Sequence, residues 1–180
     1  MESVWQQCMA AGEEAEQHRR FAEAAEQYRD ALKIAERFGE EDPRLADSLA
    51  ALGALSSRYG PHGREEESAA ALLQRALAIR ERLLGPEHSE VARLLVHLAS
   101  TAGRPGPQCS PGDAARAAAF LERAIGIEAE AAEGDRDLLA LTSNAVTHLS
   151  SSLGRHGSAA AAEALHHGLI ALHEKRHGPD

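Results

Sequence analysis

Apolar residues along this chain recur at the three-and-four spacing of a helix face, in stripes that come in pairs. Phe21, Ala24, Ala25, Tyr28, Ala31, Leu32 and Ala35 form one stripe. Leu45, Leu49, Leu52, Gly53 and Leu55 form the next, and Ala69, Leu72, Leu73, Ala76, Leu77 and Ile79 another. With their flanking signals they predict helices over 3–17, 21–38, 43–59 and 65–84. Val91, Leu94, Leu95, Leu98 and Ala99 mark a fifth, followed by helices over 113–133, 137–153 and 158–177. Gly39 stops the second helix, Asp42 and Pro43 read as the N-cap and first turn of the third, and Gly85 with Pro86 closes the fourth. The acidic run at 65–67 suits the positive end of the fourth helix, and Asp113 reads as an N-cap.

The stripes belong to an internal repeat. RFGEEDPRLADSLAALGAL around Gly39 and LLGPEHSEVARLLVHLAST around Gly85 are close variants, each after a run ending AL-x-I-x-ER. The small-then-aliphatic pairs Ala31-Leu32, Ala76-Leu77, Ala124-Ile125 and Gly168-Leu169 are spaced by 45, 48 and 44 residues. A drifting step is a common unit with loop insertions, here at 61–64 and in the glycine- and proline-rich 103–112. Four repeats fill the chain, over approximately 1–39, 40–85, 86–134 and 135–180. Gly12, Gly53 and Ala99 in the first helices, and Ala31, Ala76 and Ala124 in the second, let the partners of each pair approach closely. The expected fold is all-α, a single solenoid of four antiparallel helix pairs that presents a surface more than it encloses a pocket.

These segments resemble the tetratricopeptide repeat, in the longer variety found in kinesin light chains and many bacterial repeat proteins. The carrying stretches are FAEAAEQYRDAL (21–32), LAALGAL (49–55), LLQRALAIRERLLGPEH (72–88) and AAFLERAI (118–125). The resemblance implies a right-handed superhelix whose first helices line a concave groove for a peptide or partner helix. By position it implies groove-facing Gln6, Met9, Glu13 and Gln17; Asp47, Ala50, Ala54 and Arg58; Arg93, Val96, His97, Ser100 and Arg104; and Asn144 and His148. The asparagine pair with which such repeats grip a peptide backbone is replaced by Ala50-Ala51 and Val96-His97, leaving Asn144. The groove then reads as acidic in the first repeat (Glu13, Glu16) and basic in the second and third (Arg58, Arg93, Arg104).

Composition narrows the function classes. A formal net charge of -9 argues against generic nucleic-acid or anionic-membrane binding. Cys8 and Cys109 lie in different repeats with no C-x-x-C pair, which fits a reducing, cytoplasmic setting, and the start MESVWQQ lacks the layout of a secretory signal. The longest uncharged run, 138–154, is too polar to span a membrane. No phosphate-cradling glycine loop and no nucleophile elbow occurs, and no cofactor is called for. Cys109, in a loop without a defined base, reads as an ordinary thiol.

One string carries an enzymatic pattern. His173-Glu174-Lys175-Arg176-His177 matches H-E-x-x-H, two imidazoles one turn apart around a general base. It also lies without gaps over AIRERLLGPE (78–87), so it reads as a repeat's helix end, with no metal site. The last helix carries Leu165, Leu169, Ile170 and Leu172 where an array wants a polar cap. Either the array continues in a longer parent or this end meets a second chain by self-association. The sequence therefore reads as a non-catalytic interaction scaffold, with Arg58, Arg93, His97, Arg104, Asn144 and His148 as groove contacts for a protein or peptide partner. Alternatives are an assembly or sensor segment using its uncapped end and, remotely, a zinc hydrolase using HEKRH. Calorimetric titration with micromolar zinc is expected to show no binding; saturable zinc binding with a hydrolytic activity that Glu174→Gln abolishes would reinstate the hydrolase.

Overall fold

A computed structural model of the chain describes residues 1–60, 67–102, 111–131, 136–155 and 159–177. Among them are eight helices and no strand: α1 (Glu2–Gln17), α2 (Phe21–Ala35), α3 (Pro43–Tyr59), α4 (Ala69–Leu84), α5 (Ser89–Ala102), α6 (Pro111–Glu130), α7 (Arg136–Arg155) and α8 (Ala159–His177). The chain divides into two compact halves, Met1–Gly85 and Pro86–Asp180. The insertion expected at 61–64, and residues 103–110 of the one expected at 103–112, Cys109 included, lie outside the described residues; 111 and 112 instead open α6.

In the N-terminal half α1 pairs with α2, α3 pairs with α4, and α2 also packs on α3. The α1–α2 turn closes without glycine. Arg20 N–H donates to Ala15 O at 2.8 Å and Arg19 N–H to Glu16 O at 2.9 Å, while Arg19 sits at φ 60. This is a Schellman closure with arginine in the left-handed position, at a cost of about 1–2 kcal/mol relative to an unstrained backbone. Helix α2 ends at Ala35 rather than at the expected 38, because Arg37 and Phe38 N–H turn to Ile34 and Ala35 carbonyls in three-residue steps. Gly39 then takes φ 122.

Asp42 caps α3 as its sequence announces, accepting from Arg44 N–H at 2.9 Å. The same carboxylate holds the Arg44 guanidinium at 2.8 and 2.7 Å, and that guanidinium lies 3.6 Å over the Phe38 ring. Hydrogen bonding to Arg44 keeps the Asp42 carboxyl below its ordinary value. Helix α4 corrects the expected start: Ser68 is the N-cap, its Oγ accepting from Ala71 N–H at 3.2 Å, and no acidic residue occupies the first turn. Glu67 precedes the helix and bonds Arg75 at 2.8 Å; 65 and 66 lie outside the described residues. Gly60 and Gly85, at φ 90 and 89, end α3 and α4.

The C-terminal half pairs α5 with α6 and α7 with α8; α6 also touches α7 and α8, and α5 touches α7. Its core holds Val91, Leu95, Leu98, Leu121, Ile127, Leu138, Val146, Leu165 and Leu172. Helix α6 begins at Pro111, so Asp113 is a first-turn acid and not the N-cap, as suits proline's fixed φ at a helix start. In the hydroxyl-rich α7, Ser143, Thr147 and Ser150 each donate to the carbonyl four residues back, so these hydroxyls are satisfied within the helix and do not compete for its N–H groups. Thr142, fully buried, bonds Glu128 of α6 at 2.5 Å and Leu138 O at 2.9 Å, a polar pin inside an apolar interface.

Two glycines are expected to respond in opposite directions. Gly53→Leu must overpack against Leu73, 2.8 Å from an added Cβ, and should cost about 1–3 kcal/mol. Gly126, an exposed helical position with nothing within 4 Å, should gain about 0.5–1 kcal/mol on replacement by Ala. Thermal melts of the two variants beside the parent check both signs; an unchanged melt for Gly53→Leu would contradict the packing.

Candidate functional site

The first helices of the repeats are α1 and α3 in the N-terminal half and α5 and α7 in the C-terminal half. In the N-terminal half the C-terminal ends of α1 and α3 border a cleft of about 370 Å³ lined by Glu13, Glu16, Gln17 and Tyr59. A chain of contacts positions its walls. Gly12 gives way to the Tyr28 ring of α2, which is 2% exposed. The Tyr28 hydroxyl donates to Glu16 Oε2 at 3.3 Å, and Glu16 Oε1 takes an Arg58 guanidinium nitrogen at 2.9 Å. The Arg58 guanidinium lies 5.6 Å from the centroid of Tyr59, whose ring stacks on Phe21 at 3.8 Å and 16°.

Burial drives the Tyr28 phenol far above its ordinary value, and the charges of Glu16 and Glu13 push it the same way. Further along α1, the indole N–H of Trp5 donates to Ser48 Oγ of α3 at 2.9 Å, and Ser48 Oγ lies 3.9 Å from Met9 Sδ.

Among the residues expected to face the groove, Arg58, Glu13 and Gln17 are exposed; Glu13 and Gln17 line this cleft, and Arg58 lies beside it through its pair with Glu16. Arg58 is already partnered by Glu16, and Asp47 is paired with Arg80 of α4. Ala54 is only 8% exposed. In the C-terminal half Arg93 is exposed on α5, while Asn144 and His148 are exposed one turn apart on α7. Val96 and His97 depart from expectation: they are 0% and 8% exposed, because α5 packs on both α6 and α7 and buries Val91, Ala92 and everything from 94 to 99. His97 is thus a core histidine more than a surface contact. Arg104 lies outside the described residues.

Tyr59 and Phe21 were not singled out by pattern as binding groups. The available signal was an aromatic residue beside an arginine at a first-helix end, in a chain only 3% aromatic.

The remaining chemistry sits on α8. His173 and Glu174 are exposed, with His173 Nε2 3.4 Å from Ser143 Oγ; the His177 side chain is outside the described set. Leu165 and Leu172, expected at an uncapped end, are packed inside the half, and Ile170 is 53% exposed. Among the described residues no helix is long and apolar enough to cross a membrane.

Residues 62–90 match the family profile of the tetratricopeptide repeat. No curated protein matches the chain. Among solved structures, BtubC (BKLC) from P. vanneervenii is similar at 25% identity with a TM-score of 0.72, over 96% of this chain and 64% of that one. The chain thus spans less than two thirds of that protein's length. A candidate kinesin light chain from Podosopora anserina, with nearly identical TPR-like repeats, aligns at 19% identity with a TM-score of 0.42, over 99% of this chain and 100% of that one.

The Tyr28 contact carries a pH signature. A phenol whose folded value is raised contributes stability that is intact below its ordinary value of 10.0 and is lost as pH rises beyond it. Denaturant unfolding should therefore show the chain weakening above about pH 10, and Tyr28→Phe should flatten that loss. An identical alkaline slope in the variant would place the tyrosine elsewhere.

Proposed function

We propose that this chain, a tetratricopeptide-repeat protein, works as a protein–protein interaction scaffold that holds a partner segment along the first helices of its repeats. Such repeats generally serve this role, and few of them are enzymes. The observation that supports the groove reading is the division of labour on α7: Leu138, Leu139, Thr142, Val146 and Leu149 are buried, while Asn144 and His148 are exposed. A face that keeps an amide and an imidazole one turn apart in solvent can exchange hydrogen bonds with an extended backbone. Arg93 is exposed on α5 of the same half and Arg58 on α3 of the N-terminal half, and from the sequence Arg104 is a further expected contact. His97, largely covered, shapes the wall beneath. The partner is a protein or peptide, met in the cytoplasm.

Affinity capture from the source cell, read by mass spectrometry, tests this with the full chain beside the Arg93→Ala, Asn144→Ala, His148→Ala triple variant. If each contact contributes about 0.5–0.9 kcal/mol, capture of the partner should fall roughly ten-fold to a hundred-fold. A partner held equally by both forms would move the working surface off these helices, for instance to the Ile170 side of α8.

A further inference from the structure

The cleft at the ends of α1 and α3 has an electrostatic character that the charge pattern along the chain conceals. The cation beside it, Arg58, does not line it and is engaged: Glu16 holds it at 2.9 Å. Glu13, on the same wall, is exposed and makes no hydrogen bond or ion pair among the described residues. Both bordering helices end here, so the negative ends of two macrodipoles lie near the unpaired carboxylate; of the basic residues that follow α1, Arg20 is paired with Glu23 at 2.9 Å, and the basic residue in the last turn of α3 is Arg58 itself. Tyr59, 41% exposed, supplies an aromatic wall backed by Phe21. Arg58 shows what this environment tolerates, a guanidinium between a carboxylate and the Tyr59 ring. At about 370 Å³ the cleft is at the small end of ligand sites, the scale of a single side chain.

We infer that this cleft receives a basic side chain of the partner segment, arginine above all, with its charge on Glu13 and its planar group against Tyr59. The inference rests on the scaffold reading and names the chemistry of its partner at this position. Arginine is favoured over lysine because a flat, weakly hydrated guanidinium can stack on a ring while donating two hydrogen bonds to one carboxylate. Gln17 adds an amide that can accept from the same group or from the adjoining backbone.

The test is a nuclear magnetic resonance titration of the full, isotope-labelled chain with N-acetyl-arginine amide, the lysine analogue and the neutral isostere N-acetyl-citrulline amide. The arginine probe should give saturable shifts confined to 13–17 and 58–60, weaker ones with lysine and none with citrulline. Glu13→Gln, at an exposed position that leaves packing untouched, should weaken arginine binding at least five-fold, as should Tyr59→Leu. Equal response to citrulline, unchanged affinity in Glu13→Gln, or shifts scattered over the acidic surface would each overturn the inference. Because the titration needs no partner, its failure leaves the capture experiment standing, and failure of the capture leaves the titration interpretable.

Discussion

A Cβ built on Gly12 would stand 2.4 Å from the Tyr28 ring, and one on Gly53 would stand 2.8 Å from Leu73. Both distances lie inside van der Waals contact, so the helices of each N-terminal repeat meet where only a hydrogen fits. That closeness is what lets an alanine-rich chain make a core. Ala31, Ala76 and Ala124 are fully buried, yet a methyl group reaches a neighbour only if the neighbouring backbone comes to it. The larger Leu49, Leu55, Leu73, Leu95 and Leu121 then fill what the close approach leaves open. Stability in such an array is a sum of repeat and neighbour terms, so a side chain too large at one of these points is felt by its own pair first.

The same constraint sets the surface. Tyr28 lies over Gly12, and from there its hydroxyl reaches Glu16 one turn further along α1. Glu16 in turn fixes Arg58 of α3, which leans over Tyr59, which stacks on Phe21 of α2. Three helices are thereby tied at one corner of the N-terminal half by a path that begins with the absence of a side chain. An exposed ion pair alone is worth little, but Glu16 is held from its other oxygen by a residue the core does not allow to move. Less side-chain freedom is then lost in forming the pair.

Much of the fold was legible because local chemistry announces it. Asp42-Pro43 caps α3, and Gly39, Gly60 and Gly85 take the positive φ that ends a helix or begins a turn. Where the reading slipped, a second signal competed. The glutamates before Ser68 advertised a dipole partner, but the serine hydroxyl satisfies an orphan N–H directly and sets the start of α4. Arg19 in the left-handed position carried no sequence mark at all, since glycine is the residue one looks for there. The surface was less legible than the core. Positions carried over to α5 put Val96 and His97 outward, yet a first helix with neighbours on two sides buries a far wider arc than a two-helix hairpin would suggest. Contacts such as Glu16 to Arg58 join residues a full repeat apart, and no window along the chain contains both.

That separation changes how charge in a helical array should be counted. Tallied repeat by repeat, Glu13 and Glu16 make an acidic patch and Arg58 begins a basic one. Folded, Glu16 and Arg58 neutralise each other across α1 and α3, and Glu13 is the carboxylate left without a partner beside two helix ends. The surface at this corner is not bipolar; it is a small hollow with an exposed carboxylate and an aromatic wall. In general a residual surface charge acts within a Debye length, about 8 Å at physiological salt, and shapes encounter more than affinity. The pairing that ties α1 to α3 therefore also decides which charges stay exposed at this corner, so one arrangement of side chains sets both packing and surface charge.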